Sequence, residues 1–241
     1  MQSSLSYGDR PIDYFVNESP NLSSKLRIHV HPNGVVEVEA PAEACQDRIS
    51  AAVRRRARWI SKQLDAAEEA RSYSLPREYI SGETHFYIGR RYRLRVTEDS
   101  SNPSAVLLKG GRIEVICRLA DPAAVRRRLN EWYRGRAEDY FERRLAAVAS
   151  RISWLEENPQ LKLVAMKKQW GSCAPNGTIH LNPWLIRAPT ECIDYVITHE
   201  LCHLREHNHS KKYYEILGHH YPNWRHVKAR LDGMAELILA C

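Results

Sequence analysis

Apolar and polar positions alternate along this chain with two different periods. Leu26, Ile28 and Val30 alternate with Arg27, His29 and His31, the pattern of a half-buried strand. His31-Pro32-Asn33-Gly34 reads as a turn. Val36, Val38 and Ala40 then alternate with Glu37 and Glu39, the return strand of a hairpin, which Pro41 ends. From about residue 44 to 70 the period lengthens to that of a helix, with Ile49, Val53, Ala57, Ile60 and Leu64 on one face. Short β runs follow: Phe86, Ile88, Tyr92, Leu94 and Val96 around Gly89, then 106–108 and 113–117 flanking Gly110-Gly111 as a second hairpin. Asp121-Pro122 opens a helix with a cap and a first-turn proline. Its inner face reads Val125, Leu129, Trp132, Tyr140, Leu145 and Val148, with an end near Trp154.

The last third predicts two strands, 161–166 and 178–182, joined by Gln169-Trp170-Gly171-Ser172-Cys173-Ala174-Pro175-Asn176-Gly177, which must turn sharply. A helix capped by Thr190 carries Ile193, Val196, Ile197, Leu201 and Leu204 on its apolar side. Two more helical stretches follow, 210–217 and 222–239. Residues 1–24 show no clear period and are expected to be an irregular lead-in. The expected organisation is α+β. An N-terminal α+β lobe spans 25–120, a β-rich lobe with one long helix, and a second lobe over 121–241 holds the chemistry.

Composition narrows the class. The 241 residues are 43% hydrophobic and 27% charged, enough apolar material for a core and too much for a disordered chain. No apolar run approaches ~18 residues, so no membrane span is expected. The N-terminus lacks a basic stretch followed by an apolar one, so a cytoplasmic location is expected. The six cysteines form no CxxC pair and are expected to be mostly buried, reduced thiols. The 36 Lys+Arg outnumber the 29 Asp+Glu, giving +7. Part of that excess is clustered in Arg54-Arg55-Arg56 and Arg126-Arg127-Arg128, each run preceded by Ala-Ala-Val and followed by a tryptophan, Trp59 or Trp132. The plain reading is the solvent face of two amphipathic helices. The sharper one is a surface for nucleic acid.

The pattern that carries chemistry is His199-Glu200-Leu201-Cys202-His203. Residues four apart share a helix face, so both imidazoles can reach one ion at ~2.0–2.1 Å for zinc. Glu200 adjoins His199 and can address the open coordination position as a base for bound water. Burying two histidines and a glutamate without a metal would be costly unless each found partners. A third ligand is needed, and the candidates are His207 and His209. On a continued helix His207 would lie about 12 Å along the axis from His199, too far to share an ion. His209 follows Asn208, a residue that tolerates the left-handed conformation ending helices, so a turn there can fold His209 back. His209 is therefore preferred. Ser210 would cap the next helix, with Tyr213 and Tyr214 behind the site.

Several motifs converge on one family. Trp170-Gly171-Ser172-Cys173, the Gly177-x-Ile179-x-Leu181-Asn182 run, Pro189, Tyr195-Val196-Ile197, His199-Glu200-Leu201-x-His203-Leu204 and Asn208-His209-Ser210 together resemble the YgjP-like metallopeptidases, bacterial zincins similar to SprT-like and WLM proteases. The resemblance is strong over 160–225. It extends more weakly through the first hairpin, Trp59-Ile60, and Ile80-Ser81-Gly82-Glu83 with Gly89, so that 25–235 reads as one family unit. It implies a zincin-like lobe with a small sheet over the active-site helix. It also implies zinc held by His199, His203 and His209, Glu200 as catalytic base, and a protein or peptide substrate. Tyr213 and Tyr214 stand where the family usually has Phe and Trp, which keeps aromatic bulk. Glu206 replaces the glycine of the metzincin third-ligand spacing.

The expected reaction is peptide hydrolysis by metal-activated water. Candidate oxyanion donors are Tyr213, Tyr214, Arg205, His219 and Tyr221. Strand 178–182 could rim the cleft and pair with an extended peptide. Gly171 permits close backbone approach, and Asn182 is expected to secure a turn. Cys173 is read as a buried thiol, with a latent-state metal ligand as the alternative. A zinc-dependent nucleoside triphosphate hydrolase is the second functional reading; against it stand the lack of a Gly-rich phosphate loop and of an Asp cluster. A nucleic-acid or protein-binding module with structural zinc is the third, and Glu200 argues against it.

Overall fold

The computed structural model describes residues 2–8, 10–18, 26–30, 34–41, 43–72, 77–166 and 169–239. The chain divides into two compact units, Met1–Leu75 and Pro76–Cys241. Both mix helix and sheet, so the α+β expectation holds.

The first unit is a four-stranded sheet and one helix. Strands β1 (Gln2–Tyr7), β2 (Arg10–Glu18), β3 (Arg27–Val30) and β4 (Val36–Ala40) lie in the order β1-β2-β4-β3. The hairpin of β3 and β4 is antiparallel as expected, with Ile28 opposite Val38; its turn residues 31–33 fall outside the described residues. Helix α1 (Gln46–Ser72) buries Ile49, Val53, Ala57, Ile60 and Leu64, the stripe the period predicted. β1 and β2 correct the expected lead-in: residues 1–24 are not irregular throughout. Ile12, Tyr14 and Val16 alternate inward between exposed Pro11, Asp13 and Phe15. The pattern was masked because Phe15 is 40% exposed and three of the six β1 residues are serines.

In the second unit, β5 (Thr84–Tyr87), β6 (Arg90–Glu98), β7 (Ala105–Lys109) and β8 (Arg112–Cys117) form a sheet in the order β5-β6-β8-β7. Lys109 pairs with Arg112 across Gly110-Gly111, whose φ values of 55° and 73° suit a two-residue hairpin turn that side chains with a Cβ rarely allow. Helix α2 (Pro122–Ala149) begins as predicted, with the Asp121 carboxylate accepting from the Ala124 N–H at 3.0 Å. It stops at Ala149, short of Trp154. Its buried stripe runs Val125, Leu129, Tyr133, Ala137, Phe141 and Leu145, four apart, while Trp132 and Tyr140 flank it half-buried. Leu94, Ile113 and Val115 of the sheet share one core with this stripe. A lobe boundary at 120/121 would cut that core, and the division falls at 75/76 instead.

A second small sheet follows: β9 (Leu161–Leu163), β10 (Gly171–Cys173) and β11 (Ile179–Leu181), in the order β10-β11-β9. The strand expected over 178–182 is therefore central, and its two neighbours, not itself, are the edges. A 3-10 turn, Pro183–Arg187, leads into helix α3 (Thr190–Cys202), followed by α4 (Lys211–His220), α5 (Trp224–Gly233) and α6 (Ala235–Leu239). The single helix expected over 222–239 is broken at Met234. Thr190 does not cap α3; Pro189 occupies the cap position, and the Thr190 hydroxyl hydrogen-bonds Tyr140 at 2.8 Å. Among the described residues no helix is long and apolar enough to cross a membrane.

Candidate metal centre

α3 is the scaffold of the site. Its apolar side, including Ile193, Val196, Ile197 and Leu201, is buried, which fixes the direction in which residues 199, 200 and 203 project. It lies against α2, β10 and β11. Arg144 of α2 grips Asp194 of α3 with two parallel bonds, Nε to Oδ1 at 2.8 Å and one terminal nitrogen to Oδ2 at 2.6 Å. At the other side the hairpin tip between β5 and β6 donates the Ile88 and Gly89 N–H groups to the carbonyls of Ile186 and Arg187, just ahead of α3. Asn182, fully buried, donates to the carbonyls of Met166 and Gln169 and accepts from the Trp184 N–H, so it secures the turn as expected.

His199, His203 and His209 converge. One donor nitrogen from each lies within 4.8 Å of the others, the one such group of three or more among the described residues. His199 and His209 face each other Nε2 to Nε2 at 3.1 Å. Two nitrogens each ~2.0–2.1 Å from one zinc at a near-tetrahedral angle would stand about 3.3 Å apart, so the spacing fits a shared ion. The Nδ1 of His203 lies 3.2 Å from the Glu206 carbonyl, which can only accept. That proton on Nδ1 leaves the Nε2 lone pair for a metal. Burial, with His209 and His203 nearby, pulls His199 down to about 3, and burial lowers His203 as well. Both rings are thus neutral near pH 7, the form that coordinates.

The return of His209 is held by α4. Ser210 accepts from the Tyr213 N–H at 3.2 Å, capping α4 as predicted and fixing the residue just before it, His209. Tyr213, fully buried, stacks on His203 with centroids 4.6 Å apart and donates its hydroxyl to the His199 carbonyl at 3.1 Å, satisfying one orphan carbonyl at the end of α3. Tyr214 is 40% exposed and lies between His209 and Trp224, so it does not sit behind the site with Tyr213. The reversal is made at 203–205, directly after α3 ends; Asn208 is not left-handed, contrary to expectation. His207 is exposed and outside the cluster.

Glu200 is 5% exposed, and burial raises its carboxyl to about 8. Gly171 of β10 lies against it: a Cβ there would stand 2.8 Å from both Cγ and Oε1 of Glu200. Cys173 is half-buried, its thiol raised by burial and then by the Glu200 charge, and it is outside the three-histidine group. Of the five candidate oxyanion donors, Tyr213 and Tyr221 already donate to carbonyls, the latter to Glu191 at 2.9 Å. The Arg205 guanidinium lies over Trp154. Two neighbours escaped notice as parts of the site. Tyr195, one turn before His199, meets its ring edge-on at 5.9 Å, and Trp224 extends the His209–Tyr214 stack. The i, i+4 spacing of Tyr195 to His199 was the available signal for the first; Trp224 offered none.

Three convergent histidines on an α+β scaffold, with a carboxyl on the residue after the first, fit a metal-dependent hydrolase. Residues 24–234 match the YgjP-like metallopeptidase domain family, and the chain belongs to it. Two crystal structures of metallopeptidase zymogens are similar to parts of it. Pyrococcus abyssi abylysin is 20% identical over 40% of this chain and 94% of that one, with a TM-score of 0.36. Methanocaldococcus jannaschii jannalysin is 20% identical over 39% of this chain and 92% of that one, with a TM-score of 0.32. No curated protein matches the chain.

Proposed function

We propose that the protein is a zinc-dependent peptidase in which His199, His203 and His209 hold the metal and Glu200 is the general base. The observation that carries this reading is the approach of three imidazole donors to within 4.8 Å of one another beside a carboxyl that is 5% exposed. Zinc held by these three histidines would supply Lewis-acid polarisation of a carbonyl and a bound water with its pKa lowered to ~7. Glu200 takes the proton from the attacking water and hands it to the leaving amine. Its burial keeps bulk water from competing for that proton, and a cation among the imidazoles favours the carboxylate form that this first step needs. An extended substrate adds along the free edge of β10, with backbone hydrogen bonds aligning the scissile bond over α3. Tyr214, exposed beside His209, is the hydroxyl best placed to meet the oxyanion.

The test is Glu200→Gln. The variant is expected to keep a full complement of metal by elemental analysis and to lose hydrolysis of unstructured protein and peptide substrates by ~10²–10⁴-fold. Unchanged turnover removes Glu200 from the mechanism. Turnover of nucleoside triphosphates alone, with no peptide cleaved, replaces the proposed substrate class.

A further inference from the structure

The sheet β5-β6-β8-β7 has two unlike faces. His85, Leu94, Ile113 and Val115 turn inward. The opposite face presents Arg91, Arg93 and Arg95 of β6, Arg112 of β8 and Lys109 of β7, all exposed. The register sets Arg93 against Arg112 and Arg112 against Lys109, so three cations stand side by side across three strands. Along β6 the three arginines recur at about 6.8 Å, and neighbouring strands are about 4.8 Å apart. Among the described residues, Glu114 is the one carboxylate that meets this grid, 3.4 Å from Arg95 Nε. Like charges placed directly opposite destabilise a sheet. Among the described residues no carboxylate pairs with the other four.

Apolar surface interleaves with the charge. The Arg91 guanidinium lies 5.8 Å from the Phe86 ring centre, Leu107 is 46% exposed, and Ile116 is half-buried on the same face. Four of the five cations are arginine, whose planar fork grips phosphate oxygens in pairs and stacks on flat rings. The runs Arg54–Arg56 and Arg126–Arg128 differ. They lie on single helices opposite the buried stripes of α1 and α2, as solvated faces do.

We propose that this sheet face is a docking surface for single-stranded nucleic acid. A flat array of guanidiniums tracks a phosphodiester backbone, and the apolar side chains between them receive unpaired bases. Duplex is disfavoured, because its stacked and paired bases are withheld from the apolar side chains between the cations. None of these residues belongs to the histidine site, so the inference stands or falls separately from the peptidase reading.

The experiment is fluorescence anisotropy of a labelled single-stranded oligonucleotide titrated with the full-length protein at about 50 mM and about 200 mM salt. The expected affinity is micromolar or tighter at the lower salt and falls steeply at the higher. Arg93→Gln with Arg112→Gln is expected to weaken binding at least ~10-fold and to reduce the salt slope by about 1.4, two phosphate contacts' worth on a single strand. Its fold is checked by circular dichroism, its peptidase turnover stays unchanged, and its Tm rises slightly as the opposed charges are removed. Arg54→Gln with Arg55→Gln is expected to bind like the unaltered protein. The proposal is overturned by no binding at the lower salt, by equal affinity of the Arg93/Arg112 variant, or by tighter binding to polyglutamate or anionic vesicles than to the oligonucleotide.

Discussion

Gly171 shows how one missing methyl group bears on a carboxylate. Its backbone lies so close to Glu200 that an added Cβ would come within 2.8 Å of Oε1, closer than packed atoms tolerate. Gly171→Ala must therefore displace Glu200 from its position, and small misplacements of a catalytic group are expensive. The expected result is a fall in kcat of ~10–100-fold with unchanged metal content, because no ligand is touched. Unchanged kcat would show that Glu200 has room to spare or no role. That Gly171 allows a close approach was readable from the Trp170-Gly171-Ser172-Cys173 turn; that Glu200 is what approaches needed the fold. The same limit applies to the third histidine. Sequence spacing selected His209 over His207, and the structure brings His209 to the other two. The means were different. The helix ends at Cys202 of its own accord and α4, capped by Ser210, carries His209 back.

At the level of elements, α3 is held by partners on either flank. The Arg144–Asp194 pair is half-buried and bidentate, the geometry in which ion pairs contribute measurably. Arg144→Ala is expected to cost about 1–2 kcal/mol, a drop in Tm of a few degrees for a chain this size. A double-mutant cycle with Asp194→Ala should return most of that as coupling. Additive single effects would mean the pair is incidental. Neither partner could be matched from sequence, since they stand 50 residues apart. Elements with strong periods were legible. The α1 stripe, the two hairpins and the Asp121 cap were all readable in advance. β1 and β2 were not, because serines carry little apolar signal and Phe15 points outward. Trp132 and Tyr140 were misread as inner positions because aromatic size outweighed spacing; Tyr133, Ala137 and Phe141 keep the four-residue step.

Over the whole molecule, the division into units followed shared cores and not the start of the motif-bearing segment. β5 to β8 hold none of the three histidines, yet Leu94 and Ile113 pack with α2 and so belong with the histidine helix. Within that unit His85 is 1% exposed. Its Nδ1 faces an Arg77 guanidinium nitrogen at 3.3 Å, which can only donate, and its Nε2 lies 3.2 Å from Glu83. Burial first, then the charges of Arg77 and Arg187, pull it down to about 3. The folded chain therefore leaves His85 neutral while the unfolded chain protonates it near 6.5. Protons favour the unfolded state across that interval, so stability is full above pH 6.5 and falls as pH drops toward 3. The slope from this residue is at most about 1.4 kcal/mol per pH unit. Denaturation midpoints for the unaltered protein and His85→Gln, followed from pH 7 to pH 4, check this. The variant's curve is expected to be flatter, and parallel curves would contradict the assignment.

The central claim is that three imidazoles, one on α3 and two in the segment that joins it to α4, share one ion. Elemental analysis of the purified protein and two histidine variants addresses it most directly. One zinc per chain is expected, lost in His209→Ala and kept in His207→Ala. Full zinc occupancy in His209→Ala, with its affinity unaltered against a competing chelator, would contradict the account.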